Sequence, residues 1–276
     1  MAERIKSVRW VFDCFSWKPI HPELLVLFSA VQAEEKDRIG KFVFMKDAKS
    51  SLVGRLLMRK YIHNSLSVQW NDIKILRDVN GKPYYNNEHF PISFNISHQG
   101  RYVVLAGESS STKIGIDVME REYRGGKPIP AFFRLMRSNF SFDEWKTITN
   151  FNNEKDQVHM FYRYWCLKES YVKAIGVGIT IDLKDIVFKI NTTMLKNGEY
   201  VKDTELWVGG VIQMQWEFHE SLLDHNYCCC VALYKGSGLI NTITKFKFVT
   251  IDDILEDCKE VNPPDPKFCS EFLKKE

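Results

Sequence analysis

Apolar residues in the first half of the chain recur first with a helical and then with a strand-like spacing. From about Ala33 to Leu66 they return every three or four positions, which predicts one or two amphipathic helices. Further on, the segments FPISFNIS, RYVVLAGE and KIGIDVM are rich in β-branched and aromatic residues and are separated by turn formers. We therefore expect a turn at Gly81 to Pro83, followed by three strands that end near Val118.

The second half of the chain repeats this order of patterns. SFDEWKTITNF predicts a helix capped by Ser141, and a long helix follows from about Gln157 to Ile175. Strand patterns come next, with a hairpin at Gly209-Gly210, and the tail after Gly236 is expected to be irregular because it contains NPPDP. We expect an α+β protein with two similar lobes that arose by duplication. The predicted divisions are an N-terminal lobe at 1–116, a C-terminal lobe at 117–236 and a C-terminal extension at 237–276.

Composition and charge argue against two classes of partner. Of the 276 residues 45% are hydrophobic and 26% are charged, and the formal net charge is only +3. This charge does not indicate a nucleic-acid binder or a polybasic membrane anchor, and no apolar run approaches the roughly 18 residues of a spanning helix. Because the first ten residues also lack the apolar core of a signal peptide, we expect a cytoplasmic protein.

Seven cysteines are present, and three of them are adjacent in the apolar run YCCCVALY. Strand alternation would place Cys228 and Cys230 on one face and Cys229 on the other, as small buried side chains. The chain has no CxxC pair and no Cys/His spacing typical of zinc. We therefore expect free, structural thiols.

Charged residues interrupt the otherwise apolar stretch RYWCLKESYVKAIGVGI. On a helix, Trp165, Glu169 and Lys173 share a face, while Lys168 is rotated by about one hundred degrees from Glu169. Glu169 and Lys173 are either a solvated i,i+4 ion pair on a packed helix or part of a functional site. The helix alone does not decide between these alternatives.

The strand KIGIDVM places one carboxylate, Asp117, among apolar residues. A buried charge costs several kcal/mol unless a positive group faces it, so Asp117 needs a lysine or a metal ion as its partner. Two carboxylates from separate elements, with water and phosphate oxygens, form the ligand set that magnesium usually accepts. A plain structural salt bridge is the alternative.

Two further segments have the chemistry of a phosphate site. In FNISHQG a hydroxyl, an imidazole and backbone amides are expected to emerge together where the strand ends, an arrangement that can hold a phosphate. ILRDVNGKPYY offers Arg77, Lys82 and free backbone amides in one cationic loop. Each segment alone is also compatible with an ordinary exposed turn.

The order of these motifs resembles the Sfp-type 4′-phosphopantetheinyl transferases, whose hallmarks are a GID motif and a W-x-x-K-E-[SA]-x-x-K helix. The helix motif is matched in full from Trp165 to Lys173, and the opening VRW and the first helix are most similar to the animal branch of the family, named for aminoadipate-semialdehyde dehydrogenase. The resemblance covers about Val8 to Tyr234. It implies an α+β pseudo-dimer that binds coenzyme A in a cleft between its lobes and transfers the 4′-phosphopantetheine arm to a serine of an apo carrier protein, releasing adenosine 3′,5′-bisphosphate.

The resemblance also implies roles for individual residues. Asp117 and Glu169 match the family's magnesium ligands, and Lys173 matches the lysine beside the pyrophosphate; these three are the expected catalytic residues. The expected coenzyme A contacts are Arg38, the loop Arg77, Asp78, Val79, Asn80, Gly81 and Lys82, the segment Asn95, Ile96, Ser97 and His98, and Lys168 together with Glu169 and Lys173.

One position departs from many relatives. They carry a second acid two residues after the GID aspartate, where this chain has Met119, and Glu120 would point to the other side of the strand. A water molecule can complete the shell of Mg²⁺, which keeps several waters, so we interpret Met119 as a variant of an active site. We expect Glu169 to act as the general base, directly or through a metal-bound water.

The implied partners are apo carrier domains, such as the acyl carrier protein of fatty acid synthase and aminoadipate-type carrier domains, bound by a monomer. Because carrier proteins are usually acidic, the candidate docking surfaces are GRLLMRKY and the segment with Arg124, Lys127, Arg134 and Arg137. The alternatives are a non-catalytic coenzyme A or nucleotide-binding module, a structural interaction protein and a magnesium-dependent hydrolase of nucleotide diphosphates.

Overall fold

The computed structural model describes residues 7–87, 90–178, 181–235 and 244–276 of the chain. These residues form two compact units. The first combines the described residues up to Ser111 with those from Thr244 onwards, and the second runs from Thr112 to Lys235. The mixed content of helices and strands agrees with the predicted α+β class. Within the described ranges, no helix is both long and apolar enough to cross a membrane.

A four-stranded sheet in the order β13-β1-β5-β4 forms the centre of the first unit. β5 is antiparallel to β1 and β4, whereas β13 is parallel to β1. The strands are β1 (Ser7–Asp13), β4 (Ser93–Gln99), β5 (Tyr102–Glu108) and β13 (Lys247–Phe248), and β2 (Leu76–Arg77) pairs with β3 (Pro83–Tyr84) in a separate hairpin. The helices are α1 (His21–Ser29), α2 (Ala33–Gly40), α3 (Met45–Leu66), α7 (Ile251–Leu255) and α8 (Pro266–Leu273), with a 3₁₀ turn at Trp70–Asp72.

The helical pattern from Ala33 to Leu66 corresponds to two helices, α2 and α3, as the sequence allowed. The long helix α3 packs on the central sheet, and its residues from Leu52 to Ile62 are all buried. The ring of Tyr61 lies so close to Gly107 of β5 that a Cβ at this position would overlap with it. The basic residues of GRLLMRKY are therefore interior, and the expectation that this segment is a docking surface is wrong.

The tail also differs from the expectation that it is irregular. β13 extends the central sheet beside β1, and α8 packs against α1 through T-shaped contacts of Phe28 with Phe268 and Phe272. Ile254 of α7 is fully buried. Contacts with distant parts of the chain thus order a segment whose local sequence, with three prolines in NPPDP, indicates no regular structure.

The second unit contains two sheets, in the orders β6-β12-β11-β8 and β10-β9-β7. The strands are β6 (Ile114–Glu120), β7 (Ile186–Lys189), β8 (Tyr200–Val201), β9 (Glu205–Val208), β10 (Val211–Ile212), β11 (Trp216–Leu222) and β12 (Tyr227–Tyr234). The helices are α4 (Ile129–Leu135), α5 (Phe142–Thr149) and α6 (Glu154–Ile175), with 3₁₀ turns at Arg137–Asn139 and Leu183–Asp185. The predicted strands β4, β5 and β6 and the Gly209-Gly210 hairpin are confirmed.

Local capping sets the ends of the helices in this unit. Ser141 caps α5 as predicted, in a reciprocal capping box with Glu144. Asn153 caps α6, so this helix begins about one turn before the position expected from the apolar pattern. Each unit thus contains a helix of 22 residues that is packed on a four-stranded sheet.

The packing of α6 on β6 and β12 positions the site. Gly115 of β6 allows this close approach, because a Cβ there would overlap with the backbone of α6 at Ser170 and Ala174. All seven cysteines are buried free thiols, as expected. Cys228 and Cys230 of β12 belong to the core shared with α6, whereas Cys229, on the opposite face of the strand, does not.

Candidate active site

Asp117 is a buried carboxylate in the middle of β6. Only 2% of the residue is exposed, and its neighbour across the strand pair is Cys230. The side-chain amine of Lys173, on α6, donates to Asp117 Oδ1 at 2.5 Å. The carboxylate therefore has the positive partner that its burial requires.

Glu169 lies one helical turn before Lys173 and is partly buried. Burial raises the pKa of the Glu169 carboxyl, the negative charge of Asp117 raises it further, and Lys173 offsets part of this shift. Such mutual influence requires the two carboxylates to lie within electrostatic reach of each other. The structure thus brings together two acids and one lysine from β6 and α6.

The chemistry of this donor set fits a hard divalent cation. Two neighbouring carboxylates repel each other when both are ionised, and a cation removes that cost. Within the described residues no group of three or more His, Cys, Asp and Glu side chains could hold a metal ion. Two carboxylates without a histidine or a thiolate suit Mg²⁺, which completes its shell with water, better than zinc.

Neither Met119 nor Glu120 adds a third acid to the site, whose acids are therefore Asp117 and Glu169. Met119 packs against the core formed with α6, on the same strand face as Asp117. Glu120 lies on the opposite face and forms an ion pair with Arg124 at 2.6 Å. It therefore does not replace the acid that many relatives have at position 119.

Lys168 is placed differently from the expectation that it contacts coenzyme A. Its side chain is fully buried, and its amine donates to Glu144, to the carbonyl of Leu183 at 2.9 Å and to the carbonyl of Ile186. A lysine has three N–H donors, and all three are used inside the second unit. Lys168 connects α6 to α5, to the 3₁₀ turn before β7 and to the first residue of β7, so we assign it a structural role.

In the first unit, two of the expected coenzyme-binding arginines converge on one carboxylate. Glu35 of α2 is buried, and its oxygens lie 3.0 Å from Arg77 and 3.7 Å from Arg38. A third guanidinium, that of Arg55 on α3, lies 3.2 Å from Glu35. Sequence reasoning missed the contact between Glu35 and Arg55, because no local pattern separates Arg55 from the neighbouring basic residues of α3.

The loop from Asp78 to Lys82 is built differently from the expectation of free amides. The carboxylate of Asp78 accepts hydrogen bonds from the backbone amides of Asn80 and Lys82, each at 2.9 Å, and its carbonyl accepts one from Gly81. These amides therefore stabilise the turn, in which Gly81 has a φ of 80°. Val79 is fully exposed at the tip, and Arg77 donates to the carbonyl of Gly81 at 2.9 Å.

The segment Asn95 to His98 lies near the end of β4, as expected, but Ser97 and His98 lie on opposite faces of the strand. β4 continues to Gln99, and these residues pair with β5 throughout. Asn95 and Ser97 are buried on one face of the strand, whereas His98 is exposed on the other, beyond Ile96. The hydroxyl and the imidazole therefore do not emerge together, because alternation separates them.

Comparisons with known proteins place the chain among enzymes of one kind. Residues 15–110 match a family model described as "4'-phosphopantetheinyl transferase, N-terminal", and residues 113–232 match one described as "4'-phosphopantetheinyl transferase superfamily". The two matches meet where the structure divides into its units, at Ser111 and Thr112.

Individual relatives agree with the family models. The human "L-aminoadipate-semialdehyde dehydrogenase-phosphopantetheinyl transferase" is 38% identical over 97% of this chain and 91% of its own length. The Xenopus laevis protein of the same name is 37% identical over 98% of this chain and 93% of its own length. The "4'-phosphopantetheinyl transferase gsp" of Aneurinibacillus migulanus is 33% identical over 84% of this chain and 88% of its own length.

Proposed function

The chain belongs to the 4′-phosphopantetheinyl transferase superfamily, and from that premise we propose how it acts. It is a transferase that moves the 4′-phosphopantetheine arm of coenzyme A to a serine hydroxyl of an apo carrier protein. Adenosine 3′,5′-bisphosphate is the second product. The observation that carries this proposal is the convergence of Asp117, Glu169 and Lys173 on one site of the second unit.

Asp117 and Glu169 would hold the magnesium ion, whose chemistry is to neutralise the diphosphate. Lys173 is only partly buried, with 30% of its side chain exposed, so its amine can also meet an anionic ligand. We assign it to the charge that builds up on the leaving bisphosphate. Positioning and charge neutralisation are the main contributions that a protein makes to this kind of transfer.

Glu169 is our candidate for the group that accepts the serine proton. Burial and the neighbouring Asp117 raise the pKa of its carboxyl, which makes it a stronger base than a solvated glutamate. Asp117 is less suited to this role because its Oδ1 already accepts from Lys173.

The first unit would hold the nucleotide of coenzyme A. Arg38, Arg77 with the loop up to Lys82, and the segment Asn95 to His98 are the proposed contacts. Among them, Arg38 and His98 are exposed and Arg77 is partly so. We omit Lys168 from this set because its amine is fully used in the interior.

The proposed acceptors are the acyl carrier protein of fatty acid synthase and carrier domains of the aminoadipate type, the latter consistent with a role in lysine metabolism. We expect the enzyme to act as a cytoplasmic monomer. The segment that begins with α4 is the remaining candidate docking surface, because it exposes Arg134 and Arg137 together with Leu135 and Phe142, of which 62% and 80% are exposed.

Intact-mass spectrometry of an apo acyl carrier protein tests the activity. We expect the carrier to gain the mass of one phosphopantetheine group when the enzyme, coenzyme A and Mg²⁺ are present, and no gain when any of them is omitted. A non-catalytic coenzyme A-binding module is the alternative function. Binding of coenzyme A without any change in carrier mass would favour that alternative and contradict the proposal.

A further inference from the structure

Helix α2 carries Arg38 of the proposed coenzyme site but is too short to be stable by itself. It has eight residues, all described by the structure, and of these only Glu35 and Ile39 are buried. Isolated helices shorter than about 12–15 residues are marginal in water, so contacts with other elements must fix α2 in place. Glu35 supplies one set of contacts through Arg55 and Arg77. A second set comes from α8, in the C-terminal part of the chain.

Lys36 connects α2 to the start of α8. Its amine lies 2.7 Å from the carboxylate of Asp265 and 4.9 Å from the centre of the Phe268 ring. Gly40, one turn further along α2, lies against the same ring, because a Cβ at this position would come within 2.9 Å of it. Residues four apart on a helix share a face. Lys36 and Gly40 therefore belong to the face of α2 that packs on α8.

Lys275 caps the C-terminal end of α2. Its amine donates to the carbonyl of Gly40 at 2.9 Å and to that of Phe42. The last carbonyls of a helix have no partner within the helix, and a positive charge beside them interacts favourably with the helix dipole. The backbone oxygen of Glu276 also accepts from the amide of Met45, at the start of α3, at 2.5 Å. The residues after α8 thus contact both ends of the connection between α2 and α3.

α8 is fixed to the core of the first unit by contacts other than those with α2. Cys269 and Phe272 are buried, and the rings of Phe268 and Phe272 pack against Phe28 of α1. Asp265 caps α8 by accepting from the amide of Phe268 at 2.9 Å. α8 can therefore serve as a fixed support for α2.

The face of α2 that contacts α8 is opposite to the one that carries Arg38. Residues two apart on a helix are separated by about 200° of rotation, so Arg38 points away from both Lys36 and Gly40. About half of its side chain, 48%, is exposed, and it lies 3.7 Å from Glu35. A rotation or shift of α2 on α8 would therefore displace Arg38 directly.

We propose that Lys36 and Lys275 are positioning residues for coenzyme A, because they hold α2 on α8 in the orientation in which Arg38 meets the coenzyme. They act through α2 and not by touching the ligand, since their amines are used within the first unit. Holding Arg38 in place before the ligand arrives reduces the cost of ordering it on binding. The inference rests on the proposed function for the identity of the ligand. It gives α8 and the residues after it a role in substrate binding.

A binding measurement tests this inference without relying on transfer. Isothermal titration calorimetry with adenosine 3′,5′-bisphosphate gives the affinity of the coenzyme site in the absence of a carrier protein. Lys275→Met removes the cap of α2, whereas Lys275→Arg keeps a charged donor at this position. Lys274→Met is the matched control, because it removes a neighbouring lysine that is 69% exposed and pairs with Glu271 of α8 itself.

We expect Lys275→Met to weaken binding of the bisphosphate about fivefold, the lower end of the usual coupling between separate sites, and to raise KM for coenzyme A to a similar extent. kcat should not change, because the catalytic residues lie in the second unit. Lys275→Arg should restore most of the affinity, and Lys274→Met should bind like the wild type. Wild-type affinity of folded Lys275→Met, or a lower kcat at unchanged KM for coenzyme A, would overturn the inference.

A double-variant cycle shows whether the effect passes through Arg38. If α8 acts by orienting this residue, Lys275→Met should weaken binding no further in an Arg38→Met protein. Additive losses would show that Lys275 supports the fold in general and would contradict the inference.

If Lys275→Met does not fold, Asp265→Asn decides in its place. It removes the charge that pairs with Lys36 but keeps a side chain that can cap α8, and we expect it to weaken binding about twofold to threefold, as for a partly exposed ion pair. Wild-type affinity of this variant would then contradict the inference. A wild-type protein that transfers phosphopantetheine while these variants bind normally contradicts this inference alone. One that shows the expected losses of affinity but transfers nothing contradicts only the proposed function, and one that does not bind the bisphosphate contradicts both.

Discussion

At the scale of single residues, the absence of a Cβ atom at Gly115 allows α6 to pack close to β6. A Cβ there would overlap with the backbone of α6, the helix that carries Glu169 and Lys173. We expect Gly115→Ala to lower the free energy of unfolding by about 1–3 kcal/mol, because backbone has to move, and to reduce transfer by separating α6 from Asp117.

Urea denaturation with Gly126→Ala as control tests this prediction. Gly126 is exposed, and a Cβ at this position meets nothing within 4 Å, so this change should stay within about 0.5 kcal/mol of the wild type. Wild-type stability of Gly115→Ala would show that α6 does not depend on this contact.

His159 predicts a specific pH dependence. Burial, with the charges of Arg121 and Lys155, lowers its pKa from 6.5 to about 4, and Asp156 offsets only part of the shift. The unfolded chain therefore binds a proton between these values while the folded protein does not, so this residue makes stability fall as the pH decreases from 6.5 to about 4.

Melting temperatures of the wild type and His159→Gln between pH 7 and pH 4 measure this contribution. We expect the variant to lose less stability than the wild type on acidification, because Gln does not titrate. If the melting temperatures of the two proteins fall in parallel as the pH decreases, the His159 imidazole titrates in the folded protein as it does in the unfolded chain.

At the scale of elements, the second unit depends on the buried connection from α6 to α5. Lys168 and Glu144 are both fully buried and lie 2.9 Å apart. Lys168→Met leaves the carboxylate of Glu144 without this partner and should lower the free energy of unfolding by about 3–5 kcal/mol, whereas Lys146→Met on the exposed face of α5 should change it little.

The same variant checks the structural role of Lys168 through kinetics. At a temperature where Lys168→Met is folded, we expect its KM for coenzyme A to equal that of the wild type. A raised KM for coenzyme A in the folded variant would show that Lys168 contributes to coenzyme A binding.

Sequence alone predicted the elements that have a clear local pattern. The strands β4, β5 and β6 and the helices α5 and α6 follow from spacing and capping, since neighbouring residues determine both. The tail could not be predicted in this way, because β13 exists through pairing with β1, more than 200 residues earlier in the chain.

The site residues on α6 could be predicted where the sequence motif and the position of the residue around the helix indicate the same role. Glu169 and Lys173 share the face that packs near Asp117, whereas the rotation of Lys168 by about one hundred degrees directs it to Glu144. No local pattern distinguishes the buried cation Arg55 from the neighbouring basic residues of α3. Its role depends on Glu35 in another helix.

At the scale of the whole molecule, the acceptor must be recognised as a folded protein. The surface beside α4 exposes Arg134 and Arg137, and neither forms an ion pair with an acidic side chain of the described ranges, whereas Arg124 is paired with Glu120 and Glu122. Attraction of an acidic carrier should accelerate the encounter and should weaken as salt increases.

Charge reversal tests this surface. We expect the double change Arg134→Glu and Arg137→Glu to lower kcat/KM for the carrier about tenfold at low salt and to leave KM for coenzyme A unchanged. Lys196→Glu, at a site where 71% of the side chain is exposed, is the control and should have little effect. If kcat/KM falls equally in the double variant and in Lys196→Glu, the loss is a general effect of net charge and contradicts docking at this surface.

The pairing of Asp117 with Glu169 is the claim on which the whole account rests, and intact-mass measurement of transfer over a magnesium titration tests it most directly. We predict saturable dependence on Mg²⁺ for the wild type. For Asp117→Asn and Glu169→Gln we predict a loss of at least about a hundredfold, with unchanged melting temperature and unchanged binding of adenosine 3′,5′-bisphosphate. Near-normal transfer by either folded variant, or wild-type transfer that is independent of divalent cations, would contradict the account.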